Sequence, residues 1–238
     1  MTDTDAETPI IRLVRVQHAY GRHQSLSDLT FDIAKNEWVF IAGPSGAGKS
    51  TLLKLLYFGA QATAGDVLID GVNPARLSSR RIPLLRRTCG VIFQDYKLIP
   101  GRSVFQNVAL VLEAAGHRRH LIGPKVRSVL RLVGMEAHAD CLPPQLSGGE
   151  QQRIAVARAL VGDPKIILAD EPTGSLDEVS ARAVLELLRT AHIRGATVVV
   201  ATHDKGLIRD TGGRVLILER GRLARSVQVE KQYDRRAH

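Results

Sequence analysis

One segment near the start of the chain combines glycines with a lysine and hydroxyl groups. In order, it consists of Gly43, Pro44, Ser45, Gly46, Ala47, Gly48, Lys49, Ser50 and Thr51. The glycines leave backbone N–H groups uncovered, so these groups can converge on a phosphate. Lys49 is then expected to reach the β- and γ-phosphates of a nucleotide, and Ser50 to ligate Mg²⁺. A plain glycine-rich turn is the alternative, but it would need neither the lysine nor the hydroxyl.

Two apolar runs flank this loop and would position it. Trp38–Ala42 predicts a buried strand, and residues 52–56 predict a helix. A glycine loop between a strand and a helix is the context that a phosphate-binding P-loop requires. The helix would also direct its first N–H groups, with their partial positive charge, at the bound phosphate.

Two neighbouring carboxylates, Asp170 and Glu171, directly follow the apolar run at residues 166–169. If that run is a strand of a parallel sheet, both carboxylates emerge at the carboxyl edge, where such sheets bind nucleotides. Asp170 could orient Mg²⁺ through water, and Glu171 could act as the general base for the attacking water. Two acids can also merely cap a strand, but the P-loop favours the catalytic interpretation.

The segment at residues 146–153 has two interpretations. Ser147 and Glu150 match the S-x-x-E capping box that opens a helix. Gly148 and Gly149 do not suit that helix, because each glycine costs about 1 kcal/mol relative to alanine. Bare N–H groups at a positive helix end would instead let a phosphate approach. We therefore predict an anion-binding helix tip.

The remaining pattern predicts an α/β fold. Strands are expected at residues 11–16, 30–33, 67–69, 166–169, 197–201 and 215–218. Between about residues 101 and 161 the pattern turns helical, with Pro124 expected in a first helical turn and Gly134 at a helix end. The tail from Gln228 is polar and is expected to be loose.

An apolar stripe predicts a helix between the last two buried strands. Its members are Val184, Leu187, Leu188 and Ala191. Strand, helix and strand at this spacing indicate a parallel sheet that is buried on both faces.

Composition restricts the location and the partners. The net charge of +9 could indicate nucleic acid, an anionic membrane or only a solvated surface. The basic residues are scattered, with small concentrations such as Arg235 and Arg236, and no aromatic residues interleave with them, so nucleic acid is not expected. No run could span a bilayer and the polar start lacks a leader pattern, so cytosolic residence is expected. Cys89 and Cys141 show neither disulfide nor zinc spacing.

Together, these motifs resemble the ATP-binding cassette family over about residues 11–223. The family's signature is LSGGQ-like and reads LSGGE here, with Glu150 in place of the glutamine. The resemblance implies that Gln94 senses Mg²⁺ and faces a membrane partner, that Ser175 to Asp177 form a dimer-contact loop, and that His203 is the γ-phosphate switch. It also implies that Tyr20 stacks on adenine.

Each of these four assignments has a structural alternative. Tyr20 could be a hairpin-turn aromatic, Gln94 a strand-end polar residue, and His203 a satisfied loop histidine. Ser175 and Glu178 could form a second capping box. The occurrence of all of them in the family's order favours the functional interpretation for Gln94 and His203.

The resemblance also implies an architecture and a set of site residues. The architecture is a P-loop NTPase, RecA-like core with a parallel sheet, an antiparallel β subdomain and an inserted helical subdomain. One cassette would comprise a core at about residues 10–95 and 162–223, helices at about 96–161 and a basic tail at about 224–238. The implied catalytic residues are Lys49, Gln94, Glu171 and His203. The implied nucleotide contacts are Tyr20, residues 43–51, Ser147, Gly148, Gly149, Glu150 and Asp177. The implied metal ligands are Ser50, Gln94 and Asp170.

The implied function is that of an ATPase subunit using ATP and Mg²⁺. Two copies would enclose two ATP molecules head to tail, and an integral membrane partner would hold this homodimer at the cytoplasmic face of the membrane. A conventional transporter ATPase would share every catalytic residue and differ only in its partner. A nucleic-acid factor would ordinarily carry two cassettes or a long coiled-coil insert.

Overall fold

The computed structural model describes residues 8–78 and 80–231. They form two compact units, one made of the residues up to 82 together with those from 201 onward, and the other made of residues 83–200. Arg235 and Arg236, and the rest of the expected basic tail from residue 232, lie outside the described residues.

Strands and helices alternate along much of the chain. The strands are β1 (Ile11–Tyr20), β2 (His23–Ile33), β3 (Trp38–Ala42), β4 (Ala64–Ile69), β5 (Cys89–Ile92), β6 (Ile166–Asp170), β7 (Thr197–Ala201), β8 (Gly213–Glu219) and β9 (Arg222–Val229). The helices are α1 (Lys49–Leu56), α2 (Ile82–Arg86), α3 (Val104–Ala114), α4 (Arg119–Leu132), α5 (Gly148–Leu160), α6 (Glu178–Ile193) and α7 (Lys205–Thr211). Short 3₁₀ turns occur at Pro74–Arg76, Glu136–His138 and Pro143–Gln145.

An antiparallel sheet in the first unit has the order β2-β1-β4. Leu13 of β1 lies opposite Phe31 of β2 and Val67 of β4, and all three side chains are buried. The three strands confirm the expectations for residues 11–16, 30–33 and 67–69, although each strand is longer than predicted.

Strand β3, which precedes the P-loop in the same unit, pairs in parallel with β8. The pairing runs from Val39 opposite Arg214 to Ala42 opposite Ile217. Strand β9 then pairs antiparallel with β8. The expectation that the chain is loose from Gln228 is therefore wrong for Gln228 and Val229, which belong to β9. The sequence pattern missed this strand because most of its side chains are exposed, so it lacks the apolar alternation that marks a half-buried strand.

The second unit carries parallel strands, with Cys89 to Ile92 of β5 opposite Ile166 to Ala169 of β6. Strand β7 lies next to β6. Helix α6 connects β6 to β7, and its buried residues are the predicted stripe of Val184, Leu187, Leu188 and Ala191. The α/β class and the parallel pairing predicted from the sequence are confirmed.

The helical stretch predicted between about residues 101 and 161 contains α3, α4 and α5. Gly134 follows the end of α4 with φ of +69°, as expected of a helix stop. The placement of Pro124 in a first helical turn is wrong, because α4 begins five residues earlier at Arg119. The buried face formed by Ile122, Val126, Val129 and Leu130 extends the helix through the proline, at the cost of one backbone hydrogen bond. Within residues 8–78 and 80–231, no helix has the length and apolar character needed to cross a membrane.

Candidate active site

The P-loop has a backbone conformation that suits glycine. Gly43, Gly46 and Gly48 have φ values of +151°, +77° and +103°. Gly48 is the N-cap of α1, whose first residue is Lys49. Side chains disfavour this region of φ, so the glycines allow the chain to turn from strand to helix with its N–H groups uncovered.

Two of these glycines are also closely packed. A methyl group on Gly43 would lie 2.2 Å from the carbonyl oxygen of Leu218, and one on Gly48 would lie 2.6 Å from a methyl carbon of Leu26. Gly46 has open space around its α-carbon. The loop therefore rests against β2 and β8 at two points and is open at Gly46.

Lys49 lies across the loop. Its ammonium group donates hydrogen bonds to the carbonyl oxygens of Gly43 at 2.8 Å and Pro44 at 3.2 Å, and the residue is only 9% exposed. The lysine is therefore held in the loop, where a phosphate would meet its charge.

The turn between β8 and β9, which was not predicted from the sequence, is hydrogen-bonded to the P-loop. The N–H of Gly221, between β8 and β9, donates to the carbonyl oxygen of Ala47 at 3.1 Å, and its own carbonyl oxygen accepts from the N–H of Ser27 at 2.7 Å. The Ser25 hydroxyl donates to the Thr51 hydroxyl at 2.9 Å. The sequence signal was a glycine three positions after the predicted strand at residues 215–218, which is typical of a hairpin turn.

His203 lies in the same unit as the P-loop and follows β7. The N–H of Thr202 donates to the carbonyl oxygen of Ile41 at 3.1 Å, which ties the strand end to β3 just before Gly43. On the other side, Asp204 caps α7 by accepting from the N–H groups of Gly206 and Leu207. The histidine side chain between these two anchors is exposed.

Tyr20 ends β1 in the first unit and is 47% exposed. The ring of His18 contacts it edge-on at 4.6 Å between ring centres, and the ammonium group of Lys54 lies 5.9 Å from its ring centre. An aromatic ring with an exposed surface is compatible with base stacking, which remains a prediction.

In the second unit, Asp170 is the last residue of β6 and Glu171 follows it with φ of +45°. Both residues are half-buried. The next residue, Pro172, is fixed by a buried hydrogen bond of 2.7 Å from the Gln152 side chain of α5 to its carbonyl oxygen. The two carboxylates thus occupy the carboxyl end of a buried strand, as predicted, and α5 holds the chain that leaves it.

The helix tip at Ser147 is a capping box. The Ser147 hydroxyl accepts from the Glu150 N–H at 3.3 Å, while its N–H and its hydroxyl donate to the Glu150 carboxylate at 2.8 and 2.7 Å. These hydrogen bonds from Ser147, first its hydroxyl and then its N–H, lower the pKa of the Glu150 carboxyl. The capping interpretation is therefore correct. The capping box forms even though the first two residues of α5 are glycines.

Gly149 has a packing reason that the sequence did not indicate. A methyl group there would lie 2.4 Å from the Ser180 hydroxyl oxygen on α6. Glycine at this position lets the tip of α5 approach α6 closely, whether or not a phosphate binds.

The predicted dimer-contact loop ends at a helix cap. Asp177 is the N-cap of α6, and its carboxylate accepts from the Ser180 N–H at 2.9 Å. Hydrogen bonds from Ser180 lower the pKa of Asp177. The alternative of a capping box formed by Ser175 and Glu178 is therefore wrong, because Asp177 occupies the cap.

Gln94 is exposed and lies two residues after β5. The stretch that follows it is organised by Asn107, which the sequence analysis did not single out and which is fully buried. The Asn107 amide oxygen accepts from the N–H of Ile99 at 2.7 Å, and its nitrogen donates to the carbonyl oxygens of Ile99, Arg102 and Ser103 at 2.9 to 3.1 Å. A single amide thus fixes the loop that leads into α3.

The predicted site residues are divided between the two units. The first unit carries Tyr20, His203 and residues 43–51; the second carries Gln94, Asp170, Glu171, Asp177 and residues 147–150. In the described parts of the chain, no three His, Cys, Asp or Glu side chains cluster as a metal site. The predicted Mg²⁺ ligands Ser50, Gln94 and Asp170 offer a hydroxyl, an amide and a carboxylate, which are the hard oxygen donors that Mg²⁺ prefers when phosphate completes its shell.

Comparison with known proteins gives consistent matches. The sequence profile of the ABC transporter family matches residues 26–174. The cell division ATP-binding protein FtsE of Escherichia coli strain K12 is 44% identical over 215 residues, covering 90% of this chain and 97% of that protein. The protein of the same name from Mycobacterium tuberculosis strain H37Rv is 42% identical over 215 residues, with coverage of 90% and 94%.

Solved structures match over a similar extent. The dimeric post-hydrolysis state of the ATP-binding cassette MJ0796, bound to ADP and Pi, has a TM-score of 0.84 and 34% identity, covering 93% of this chain and all of that one. CbiO1 from Clostridium perfringens, part of an ABC transporter complex, has a TM-score of 0.81 and 29% identity, with coverage of 92% and 88%. The similarity in sequence and in fold thus extends over nearly the whole chain.

Proposed function

The chain belongs to the ABC transporter family and is an ATPase of that family. We propose that it is the FtsE-type ATPase subunit of a membrane complex that acts in cell division. The observation that carries this proposal is the formed P-loop, in which Lys49 is already held against Gly43 and Pro44. The FtsE proteins named above support the subfamily, because they match over nearly their whole length.

Different residues bind the nucleotide, hold the metal ion and take part in the hydrolysis of ATP. Lys49 and the N–H groups of the P-loop bind the phosphates, and Tyr20 stacks on the adenine. Ser50, Gln94 and Asp170 hold Mg²⁺, which neutralises charge on the phosphates when it is bound. Glu171 accepts the proton of the attacking water, and His203 contacts the γ-phosphate.

We propose that the active unit is a homodimer with ATP. The tip from Ser147 to Glu150 of one copy, together with Asp177, faces the nucleotide on the P-loop of its partner copy. The dimeric state of MJ0796 supports this arrangement, because that cassette is 34% identical to this chain. ATP then favours the closed pair, and hydrolysis releases it, because a ligand shifts a conformational balance only through differential affinity.

The proposed partner is an integral membrane protein of the FtsX type, through which the ATPase controls cell-wall hydrolases. The chain acts as one cassette, with a core at about residues 10–95 and 162–223 and a helical subdomain at about 96–161. It lies at the cytoplasmic face of the membrane and reaches the membrane through this partner. The segment from Gln94 to Asn107 is the proposed contact surface, and Asn107 fixes its shape.

Copurification from membranes tests the subfamily assignment. A tagged Glu171→Gln variant should retain ATP binding and stay in the closed homodimer. Mild cross-linking in membranes, followed by mass spectrometry of the captured proteins, would then identify the membrane partner of that homodimer. A membrane protein of the FtsX type is the expected result, and Lys49→Ala serves as the control with weakened ATP binding. Recovery of a large permease with a solute-binding protein would instead assign the chain to a conventional transporter.

A further inference from the structure

The turn after Gln94 adopts a conformation that its side chains disfavour. Tyr96 and Lys97 are consecutive non-glycine residues with φ values of +59° and +50°, in the left-handed region. Lys97 also forms a 2.5 Å ion pair with Asp95, two residues before it. Such a turn persists only where its surroundings fix it.

Arg158 of α5 provides one of the fixing contacts. Its guanidinium group donates to the carbonyl oxygens of Lys97 at 2.5 Å and Tyr96 at 2.6 Å. Burial of this guanidinium lowers the pKa of Arg158. The turn is therefore anchored to the last part of the helix whose first residue is Gly148.

The side chain of Tyr96 reaches the other end of the same helix. A methyl group on Gly148 would lie 3.0 Å from the Tyr96 hydroxyl oxygen, so the hydroxyl lies directly over the glycine tip. The same hydroxyl lies 3.3 Å from the hydroxyl oxygen of Ser175 in the loop that leads to Asp177. We call the contact of Tyr96 with Gly148 and Ser175 the Tyr96 bridge.

We propose that Tyr96 is a positioning residue for ATP hydrolysis, because the Tyr96 bridge joins the segment after Gln94 to the glycine tip and to the loop at Ser175. This inference rests on the proposed function, in which the tip and the loop meet the partner copy while the segment after Gln94 meets the membrane protein. In this role Tyr96 acts through Gly148 and Ser175 and not through the nucleotide. Tyr96 couples the position of the segment after Gln94 to the position of the glycine tip and of the loop at Ser175. The hydrogen bonds from Arg158 hold the backbone of Tyr96 in place, so a movement of the segment also moves its side chain.

A double-mutant cycle on the purified full chain tests the Tyr96 bridge. Tyr96→Phe and Ser175→Ala each remove one hydroxyl and leave the backbone anchors in place. We expect each variant to lower kcat by about threefold to tenfold, the range for one ordinary hydrogen bond, with KM for ATP unchanged. The melting temperature should stay close to that of the wild-type chain, because this hydrogen bond is exposed to solvent. The double variant should be no slower than the slower single variant, because both changes break the same contact. Ser175→Thr keeps the hydroxyl, so its kcat should be close to that of the wild-type chain and above that of Ser175→Ala.

The possible outcomes separate this inference from the proposed function. Wild-type kcat in Tyr96→Phe, or effects of the two changes that simply multiply, would overturn the role of Tyr96 while leaving the ATPase dimer intact. A fall in melting temperature that accounts for the lost activity would show a merely structural role and would also overturn it. A wild-type chain that binds ATP without turnover at any protein concentration would overturn the proposed function, and this inference with it.

Discussion

The ammonium group of Lys49 lies 2.8 Å from the carbonyl oxygen of Gly43, so the P-loop is closed by its own lysine. The loop is therefore held in one shape by its own side chain, and a phosphate that binds the ammonium group would replace carbonyl partners of the lysine. Preorganisation of this kind reduces the ordering cost of binding.

Lys49→Ala should weaken nucleotide binding by about tenfold to a hundredfold, the loss expected for a hydrogen bond to a charged group. Calorimetric titration with ATP and Mg²⁺ measures the change. Lys125→Ala is the matched control, because Lys125 is an exposed lysine whose partner is Asp163. Equal ATP affinity in the Lys49 variant and the control would contradict the assigned role of Lys49.

The two glycines at positions 43 and 46 should respond differently to alanine. Both have positive φ, but only at Gly43 would the new methyl group meet a backbone oxygen, that of Leu218, at 2.2 Å. We expect Gly46→Ala to lower the free energy of unfolding by about 1 kcal/mol, and Gly43→Ala by about 3 kcal/mol or more. Urea unfolding measures both variants, and equal losses would show that the contact with Leu218 is not tight.

Asn107→Asp should destabilise the loop after Gln94. The new carboxylate would be buried and would face the carbonyl oxygens of Ile99, Arg102 and Ser103, to which the amide now donates. We expect a loss of about 3 kcal/mol in the free energy of unfolding at neutral pH.

The neighbouring exposed amide provides the control for that change. Gln106→Glu is the same chemical substitution at a side chain that only accepts a hydrogen bond, from the Ser103 N–H, so stability should not fall. Similar urea midpoints for Asn107→Asp and Gln106→Glu would contradict the role given to the buried amide.

The parts of the fold and site that the sequence predicted depend on short-range patterns. The P-loop, the strand before Asp170 and the buried stripe of α6 are each recognisable within fewer than twenty residues. Arg158 was not predictable, because its hydrogen bonds join it to Tyr96 and Lys97, more than sixty positions away. Strand β9 was missed because it is held by backbone pairing and not by an apolar face.

Cys89 should react slowly with thiol reagents. Burial raises the pKa of its thiol to about 11, and the hydrogen bond with Thr88 opposes this only in part. At pH 8 only about one thiol in a thousand would be ionised, and the thiolate is the reactive form. Alkylation with iodoacetamide, followed by mass spectrometry in a Cys141→Ser variant, measures the rate. Labelling of Cys89 at the rate of a free cysteine at pH 8 would contradict this prediction.

We propose that each ATP is hydrolysed between the P-loop of one copy and the Ser147 tip of the other, and a mixture of two inactive variants tests whether the site is shared in this way. Lys49→Ala disables the P-loop and keeps the tip. Ser147→Asp keeps a residue that caps helices well but places a negative charge where the phosphate would lie. Each variant alone should be nearly inactive, and ATPase activity should appear when the two are mixed, because a mixed dimer contains one intact site. Absence of activity in the mixture under conditions where the wild-type chain is active, or full activity of Ser147→Asp alone, would show that the two copies do not share the site.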